Sequence, residues 1–524
     1  MLARCSGGAL TGLEAVEVSV EVDIAPGLPG LLMVGLADAA VQESRERVRA
    51  ALRNSGWRTP LTRVIVNLAP ADLRKEGPAF DLPIALAVLM ASGQLQPERM
   101  RAVWSAGELG LDGSLRPIRG AMALALAARR SGARALVVPQ ANGAEAALVE
   151  GLPIWSAESL SQVLALLADP SQAAPQRQRP RPRPRGPALD LADVRGQLHG
   201  RRALEIAAAG AHHLLLVGPP GSGKTMLARR LPGLLPPLSR DEALELSQLY
   251  SVAGLLERDG GLLQQRPFRA PHHGCSSAAL VGGGSVPRPG ELALAHHGVL
   301  FLDELGEFRR DVLNQLRQPL EEGEIWISRA RQRQRFPCAA SLVAATNPCP
   351  CGWFGDPGRP CRCSTSMRER YWGKLSGPLL DRIDLQVVVR RLDAEDLGRS
   401  YRTANGSCGT DSSGSEGNGS ESSAVVAGRV AKARRRMQHR NPDGVANSQL
   451  TGAGLRRLGQ IETEALQLWQ QAMQQRGLSA RSAERVLRVA RTIADLGDQD
   501  SVDATAIAEA LSFRSFDQCR RAGG

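Results

Sequence analysis

His213 to Thr225 reads HLLLVGPPGSGKT, and the fold turns on this stretch. Four apolar residues, Leu214 to Val217, run into Gly218-Pro219-Pro220-Gly221-Ser222-Gly223-Lys224-Thr225, and a helical run, MLARRL, follows. Strand, glycine-rich loop and helix in that order are the setting in which a P-loop works. Glycines let backbone N–H groups turn inward around phosphates, and a helix start adds the positive end of its dipole. Lys224 is expected to neutralise the β- and γ-phosphates of ATP, and the Thr225 hydroxyl to ligate Mg²⁺.

Outward from that loop, Val299 to Glu304 (VLFLDE) lies about 80 residues downstream. A buried parallel strand there would deliver Asp303 at its carboxyl end to hold the Mg²⁺ of the nucleotide. Glu304 is then placed to orient and deprotonate the attacking water. A third strand, Leu342 to Ala345, ends at Thr346-Asn347, where a polar side chain can position water beside the γ-phosphate.

With 524 residues the chain is too long for one core, and a prior of about 150 residues per domain suggests three or four units. Apolar residues are 43% and charged residues 23%, a balance that fits a soluble globular protein. Aromatics are only 3%, which weighs against a surface of stacked bases but leaves backbone tracking open. The 65 Lys+Arg against 53 Asp+Glu leave a net charge of +12, which suits a polyanionic partner or a solvated surface with one Arg-rich linker. Nine cysteines are an odd number in a long chain, unlike the framework of a small secreted domain. Met1 to Leu10 lacks a long apolar stretch, and no run approaches 18 apolar residues, so a cytoplasmic protein with no membrane partner is expected.

Two soft segments divide the chain. The stretch 170–187 alternates Pro with Arg and should be an extended linker. The Gly, Ser and Asn of 401–423 leave little to bury and predict a disordered insertion. Three blocks remain: 1–169, 188–400 and 424–514. The first mixes strands (Val16 to Ile24, Arg63 to Leu68) with helices such as Ala39 to Asn54. The last is helical, with apolar residues at helical spacing over Ser482 to Leu496.

RPFRAPHH (Arg266 to His273), GVLFLDEL (Gly298 to Leu305), NPCPCG (Asn347 to Gly352) and SGPLLDRIDL (Ser376 to Leu385) closely resemble the magnesium-chelatase-like branch of the AAA+ ATPases. The likeness covers nearly the whole chain, from VGLADAAVQESRERVRAAL (Val34 to Leu52) to ARTIADL (Ala490 to Leu496). It implies an α/β fold: an AAA+ P-loop ATPase core, a helical C-terminal lid and an N-terminal Lon-protease-like α+β domain. It also implies a homo-oligomeric ring, a hexamer, with ATP between neighbouring subunits. By similarity, Asn347 is the first sensor and Arg481 the second. Arg382 is the arginine finger acting on the neighbour's ATP, a role worth roughly 10³–10⁵ in rate. An ordinary ion pair with Asp381 or Asp384 is the plainer reading of Arg382, and a solvated helix start that of Arg481.

Within the first block, EGPAFDLP (Glu76 to Pro83) and LRPIRGAMALALAA (Leu115 to Ala128) resemble the Lon-type proteolytic domain. The serine position of that family is Ala79 here, and the lysine position is Met122. Neither side chain can act as nucleophile or base, so the domain is expected to be catalytically inert and to serve as scaffold or partner module.

Cys349, Cys351, Cys361 and Cys363 form two C-x-C pairs that could give four thiolates to Zn²⁺, stay as reduced structural thiols, or pair as a disulfide, the last being rare in the cytoplasm. EIWISRARQRQRFP (Glu324 to Pro337) predicts a β-hairpin with Arg329, Arg331, Arg333 and Arg335 around its tip. In related ring motors such a hairpin enters the central pore, where phosphate contacts are sequence-independent. The resemblance implies a DNA-translocating motor, a branch-migration helicase acting on branched or single-stranded recombination intermediates during natural transformation. An ATP-driven metal-insertion chaperone and an ATP-dependent unfoldase are the alternatives.

Overall fold

The structure, a computed structural model, describes residues 2–172, 189–257, 261–284, 287–329, 332–375, 377–391 and 421–514. Nearly all of the Pro/Arg linker and of the Gly/Ser/Asn insertion lies outside these residues, as does Arg331. The chain divides into two compact units. One comprises Met1–Arg183 with Ser239–Gln264 and Trp326–Phe336; the other comprises Pro184–Leu238, Gln265–Ile325 and Pro337–Gly524.

The front unit is built on a seven-stranded mixed sheet. Its order is Gly30–Val34, Arg63–Ala69, Glu14–Ala25, Ala3–Thr11, Val103–Ser105, Ala135–Pro139, Ile154–Ala157. In Glu14–Ala25, Val18, Val20 and Val22 are buried at alternate positions, the period of a strand with one covered face. The strand outruns the expected Val16 to Ile24 because it pairs antiparallel with Ala3–Thr11 down to Thr11 opposite Glu14. Helix Ala39–Asn54 has the expected bounds, and its N-cap Asp38 accepts the Val41 amide at 2.8 Å. Helix Asp81–Ala91 is buried on all sides, as its apolar run from Leu82 requires, and its first residue Asp81 is paired with Arg47 at 2.7 Å.

This unit is not the contiguous block 1–169 that the linker suggests. Helix Arg240–Ala253, from within the second block, belongs to it. Leu244, Val252, Leu256 and Leu262 pack on the cluster formed by Ala121, Met122 and Leu124. The Ser251 hydroxyl bonds Glu145, and Gln248 Nε2 donates to the Leu13 carbonyl at 2.6 Å. Apolar area on a segment that composition assigns to one block is here removed from water by another.

The second unit centres on five parallel strands in the order Phe268–Arg269, Val299–Leu302, Ser341–Thr346, Leu214–Val217, Leu385–Val388. The Leu214, Val299 and Ser341 strands are buried throughout, the signature of a parallel sheet covered on both faces. Helices Ser423–Arg440, Thr463–Arg476, Ala480–Leu496 and Ala504–Ser512 share its core. Leu214, Leu216 and Val343 of the sheet join Val430, Met437, Val486, Ala490 and Phe513 in one cluster. Among the described residues no helix is long and apolar enough to cross a membrane.

One buried carboxylate fastens the last helices to the sheet. Asp384 accepts Arg485 Nη1 at 2.6 Å, the His213 amide at 3.1 Å and His212 Nδ1 at 3.2 Å. Burial alone would raise its carboxyl, but His212, Arg485 and His213 hold it well below the usual carboxylate range. Asp384→Ala leaves Arg485 without that counter-charge and is expected to cost about 3–5 kcal/mol, read as a lower urea midpoint. The wild-type contribution is present above the ordinary carboxylate value of about 3.9 and is lost as pH falls through the depressed folded value.

Candidate nucleotide site

The strand Leu214–Val217 ends in the middle of the sheet and releases the chain into the loop Gly218–Gly223. Gly223 has φ +93°, a left-handed turn closed to residues with a Cβ at little cost, and from it the chain enters the helix Lys224–Ala228. That helix is shorter than MLARRL suggests: after Arg229 the chain restarts as Leu231–Leu234, with Pro232 in its first turn, where proline is tolerated.

Lys224 turns its ammonium back over the loop. Nζ donates to the Gly218 carbonyl at 2.6 Å, the Pro219 carbonyl at 2.9 Å and Asn347 Oδ1 at 3.3 Å. Burial pulls its pKa down from the ordinary lysine value, against the opposing pull of Asp303 and Glu304. A partly desolvated cation of this kind gains most from a nearby polyanion. The Ser222 hydroxyl is buried with no hydrogen-bond partner among the described residues. Beside them, Thr225 Oγ1 donates to Asp303 Oδ2 at 2.8 Å. A hydroxyl and a carboxylate in contact are the hard oxygen ligands that Mg²⁺ takes, so the residues present fit a magnesium-bound polyphosphate.

Val299–Leu302, Ser341–Thr346 and Leu214–Val217 are adjacent and parallel, so Asp303, Asn347 and Lys224 emerge from the same edge. Glu304 has φ 51° and ψ 47°, a left-handed backbone costing roughly 1–3 kcal/mol for a residue with a side chain. Its carboxylate lies 3.3 Å from His273 Nδ1. Sequence reasoning assigns paired His272 and His273 no part in this site. Their position just past Phe268–Arg269, the strand beside Val299–Leu302, brings His273 to Glu304, and only the sheet order reveals it.

Arg382 and Arg481 are brought together elsewhere. The Arg382 guanidinium pairs with Glu321, and Arg481 Nη2 stands 3.9 Å from the same carboxylate with its side chain 70% exposed. The Arg382 carbonyl accepts Arg485 Nη1 at 2.9 Å, one helical turn beyond Arg481. Of the two aspartates that sequence places beside Arg382, Asp384 faces Arg485 instead. In the front unit, Ala79 lies half-buried in the short turn Pro78–Phe80, and Met122 is fully buried in helix Ala121–Arg130.

The hairpin forms as Glu324–Arg329 and Gln332–Pro337. The Arg329 side chain is outside the described atoms; Arg333 stacks 4.1 Å from the Trp326 ring centre, and Arg335 is exposed. Its outer part, Trp326–Phe336, belongs to the front unit, where the Arg335 carbonyl lies 3.1 Å from a Cβ built on Gly12.

Comparison with known families fits this geometry. "Magnesium chelatase, subunit ChlI" matches residues 190–397, "Subunit ChlI of Mg-chelatase" 20–142, and "Magnesium chelatase, subunit ChlI C-terminal" 420–514. Competence protein ComM of Haemophilus influenzae is 42% identical over 511 residues, 96% of both chains. YifB of Escherichia coli is 42% identical over 510 residues, 97% of this chain and 96% of its own. The chain belongs to the magnesium-chelatase-like ComM family. That family is of the AAA+ ATPase type, with ATP and Mg²⁺ as nucleotide and cation. A shorter likeness, 30% identity over 150 residues, links 26% of the chain to Lon protease 2 of Bacillus subtilis.

Glu304→Gln is expected to keep nucleotide binding while lowering turnover by roughly 10²–10⁴, measured as ATP hydrolysis beside nucleotide titration. His273→Ala should lower kcat with nucleotide affinity within about twofold, because it touches Glu304 and not the loop. An unchanged kcat would remove His273 from the site.

Proposed function

We propose that this chain is a ring-forming, hexameric ATP-driven motor that translocates on DNA and moves the branch point of recombination intermediates during natural transformation. One observation carries the ATP half: at the same edge of the parallel sheet, Lys224 meets Asn347 and Thr225 meets Asp303, each within hydrogen-bond distance. In this reading Lys224 and the amides of Gly218 to Thr225 bind the β- and γ-phosphates, and Thr225 with Asp303 holds Mg²⁺. Glu304 takes the proton of the attacking water, which Asn347 positions. Arg481 acts on the chain's own nucleotide, and Arg382 leaves Glu321 to reach the nucleotide of the adjacent subunit. The left-handed backbone at Glu304 and its contact with His273 suit a carboxylate that changes orientation between states.

The DNA half is supported by the competence name of a relative that matches nearly end to end, by the net charge of +12 and by the arginines of the hairpin. Phosphate contacts from Arg329, Arg331, Arg333 and Arg335 would be indifferent to sequence, as a translocating motor needs. The magnesium-chelatase descriptions favour a second reading, an ATP-driven metal-insertion chaperone. ATP-dependent metallation of a tetrapyrrole with added partner proteins, and no response to DNA, would establish that one.

Purified protein is expected to resolve a synthetic four-way junction with ATP, and Lys224→Ala to abolish this. Absence of DNA binding and of DNA-stimulated hydrolysis at low salt would falsify the DNA half. Arg333→Ala with Arg335→Ala should flatten the slope of log affinity against log salt by about one for each phosphate no longer neutralised. Arg382→Ala protein that still assembles should lose roughly 10³–10⁵ in turnover; hydrolysis at the parental rate overturns the shared site.

A further inference from the structure

The segment from Asn347 to Ser364, between the sensor strand and helix Thr365–Lys374, has no helix or strand. Eighteen irregular residues are long for a connection in a compact domain, and such loops are usually functional or fixed by something other than a core. Only Pro348, Cys349 and Gly352 are buried in it, and half of its residues are exposed. Yet the loop is folded tightly on itself around sulfur. The ligand atoms of Cys349, Cys351, Cys361 and Cys363 all lie within 4.8 Å of one another. The Sγ–Sγ separations are 3.4 Å for Cys349–Cys351, 3.7 Å for Cys349–Cys361 and 3.6 Å for Cys351–Cys361. Four thiolates bonded to zinc at about 2.3 Å stand about 3.8 Å apart at the corners of a tetrahedron.

One of the sulfurs also receives a backbone amide. The Cys363 amide reaches Cys361 Sγ at 3.4 Å. An amide aimed at a sulfur suits a charged thiolate, since a thiol is a weak acceptor. Gly352 permits the turn with φ +84°, and a Cβ there would meet Pro220 of the phosphate loop at 2.8 Å.

We propose that Cys349, Cys351, Cys361 and Cys363 bind one structural Zn²⁺, which braces the Gly352 turn against Pro220 and so fixes Asn347 at Lys224. Binding takes the four cysteines as thiolates and releases their protons to solvent. The site is independent of the motor reading, and zinc content tests it apart from any ATPase or DNA assay.

Full-length wild-type protein, purified anaerobically, is expected to carry one zinc per chain by elemental analysis. Cobalt loading should give the visible bands of tetrahedral cobalt–thiolate without depending on how a variant folds. Cys361→Ser should weaken zinc retention against a chelator by more than the roughly 10–100-fold that loss of an outer-shell partner costs. Stripping the metal should speed tryptic cleavage after Arg362 at least about tenfold, as local order is lost. Four reduced thiols with no bound zinc and no cobalt bands overturn the proposal, and so does an iron–sulfur spectrum in place of zinc.

Discussion

Asp384 is a carboxylate with almost no exposure that answers to three parts of the chain at once. Through Arg485 it holds the long helix Ala480–Leu496, through the His213 amide the entrance to the phosphate-loop strand, and through its own position the edge strand Leu385–Val388. A charge taken out of water must be matched where it lies, so these elements cannot drift apart without exposing an unpaired ion. Arg481 sits one turn before Arg485 on the same helix, and Arg382 two residues before Asp384. The two arginines that the family likeness nominates for nucleotide chemistry are therefore held at the two ends of one buried ion pair.

The nucleotide site shows the same economy. Its groups come from three strands far apart in sequence, and the parallel order makes their carboxyl ends neighbours. The backbone has no freedom there: buried strands on both sides fix where Thr225 and Asp303 stand, and their contact at 2.8 Å follows. Strain is kept at Glu304, whose left-handed turn aims its carboxylate at His273.

The front unit's interior is apolar around Met122. Met122 lies in a fully apolar cluster, where a lysine would have to be desolvated, and Ala79 offers no nucleophile. The adjoining polar groups have structural work: Glu145 accepts the Met122 amide at 3.2 Å and bonds Ser251 of the helix that completes this unit.

Much of this was legible in the chain itself. Glycine spacing before Lys224, four apolar residues before Asp303 and the 3.6-residue period near Leu496 depend on local chemistry, so the phosphate loop, the acid strand and the last long helix lie where their sequences put them. Helix Ala39–Asn54 matches to the residue. Tertiary structure alone decided what depends on elements meeting across long separations. It gave Glu304 the partner His273 and set Arg382 and Arg481 on Glu321. It also drew Arg240–Ala253 and the outer hairpin into the front unit, and closed four cysteines to within 4.8 Å of one another. The reason is physical: propensity and periodicity act over a few residues, whereas which strand lies beside which, and which charge finds which, is settled by burying a shared core.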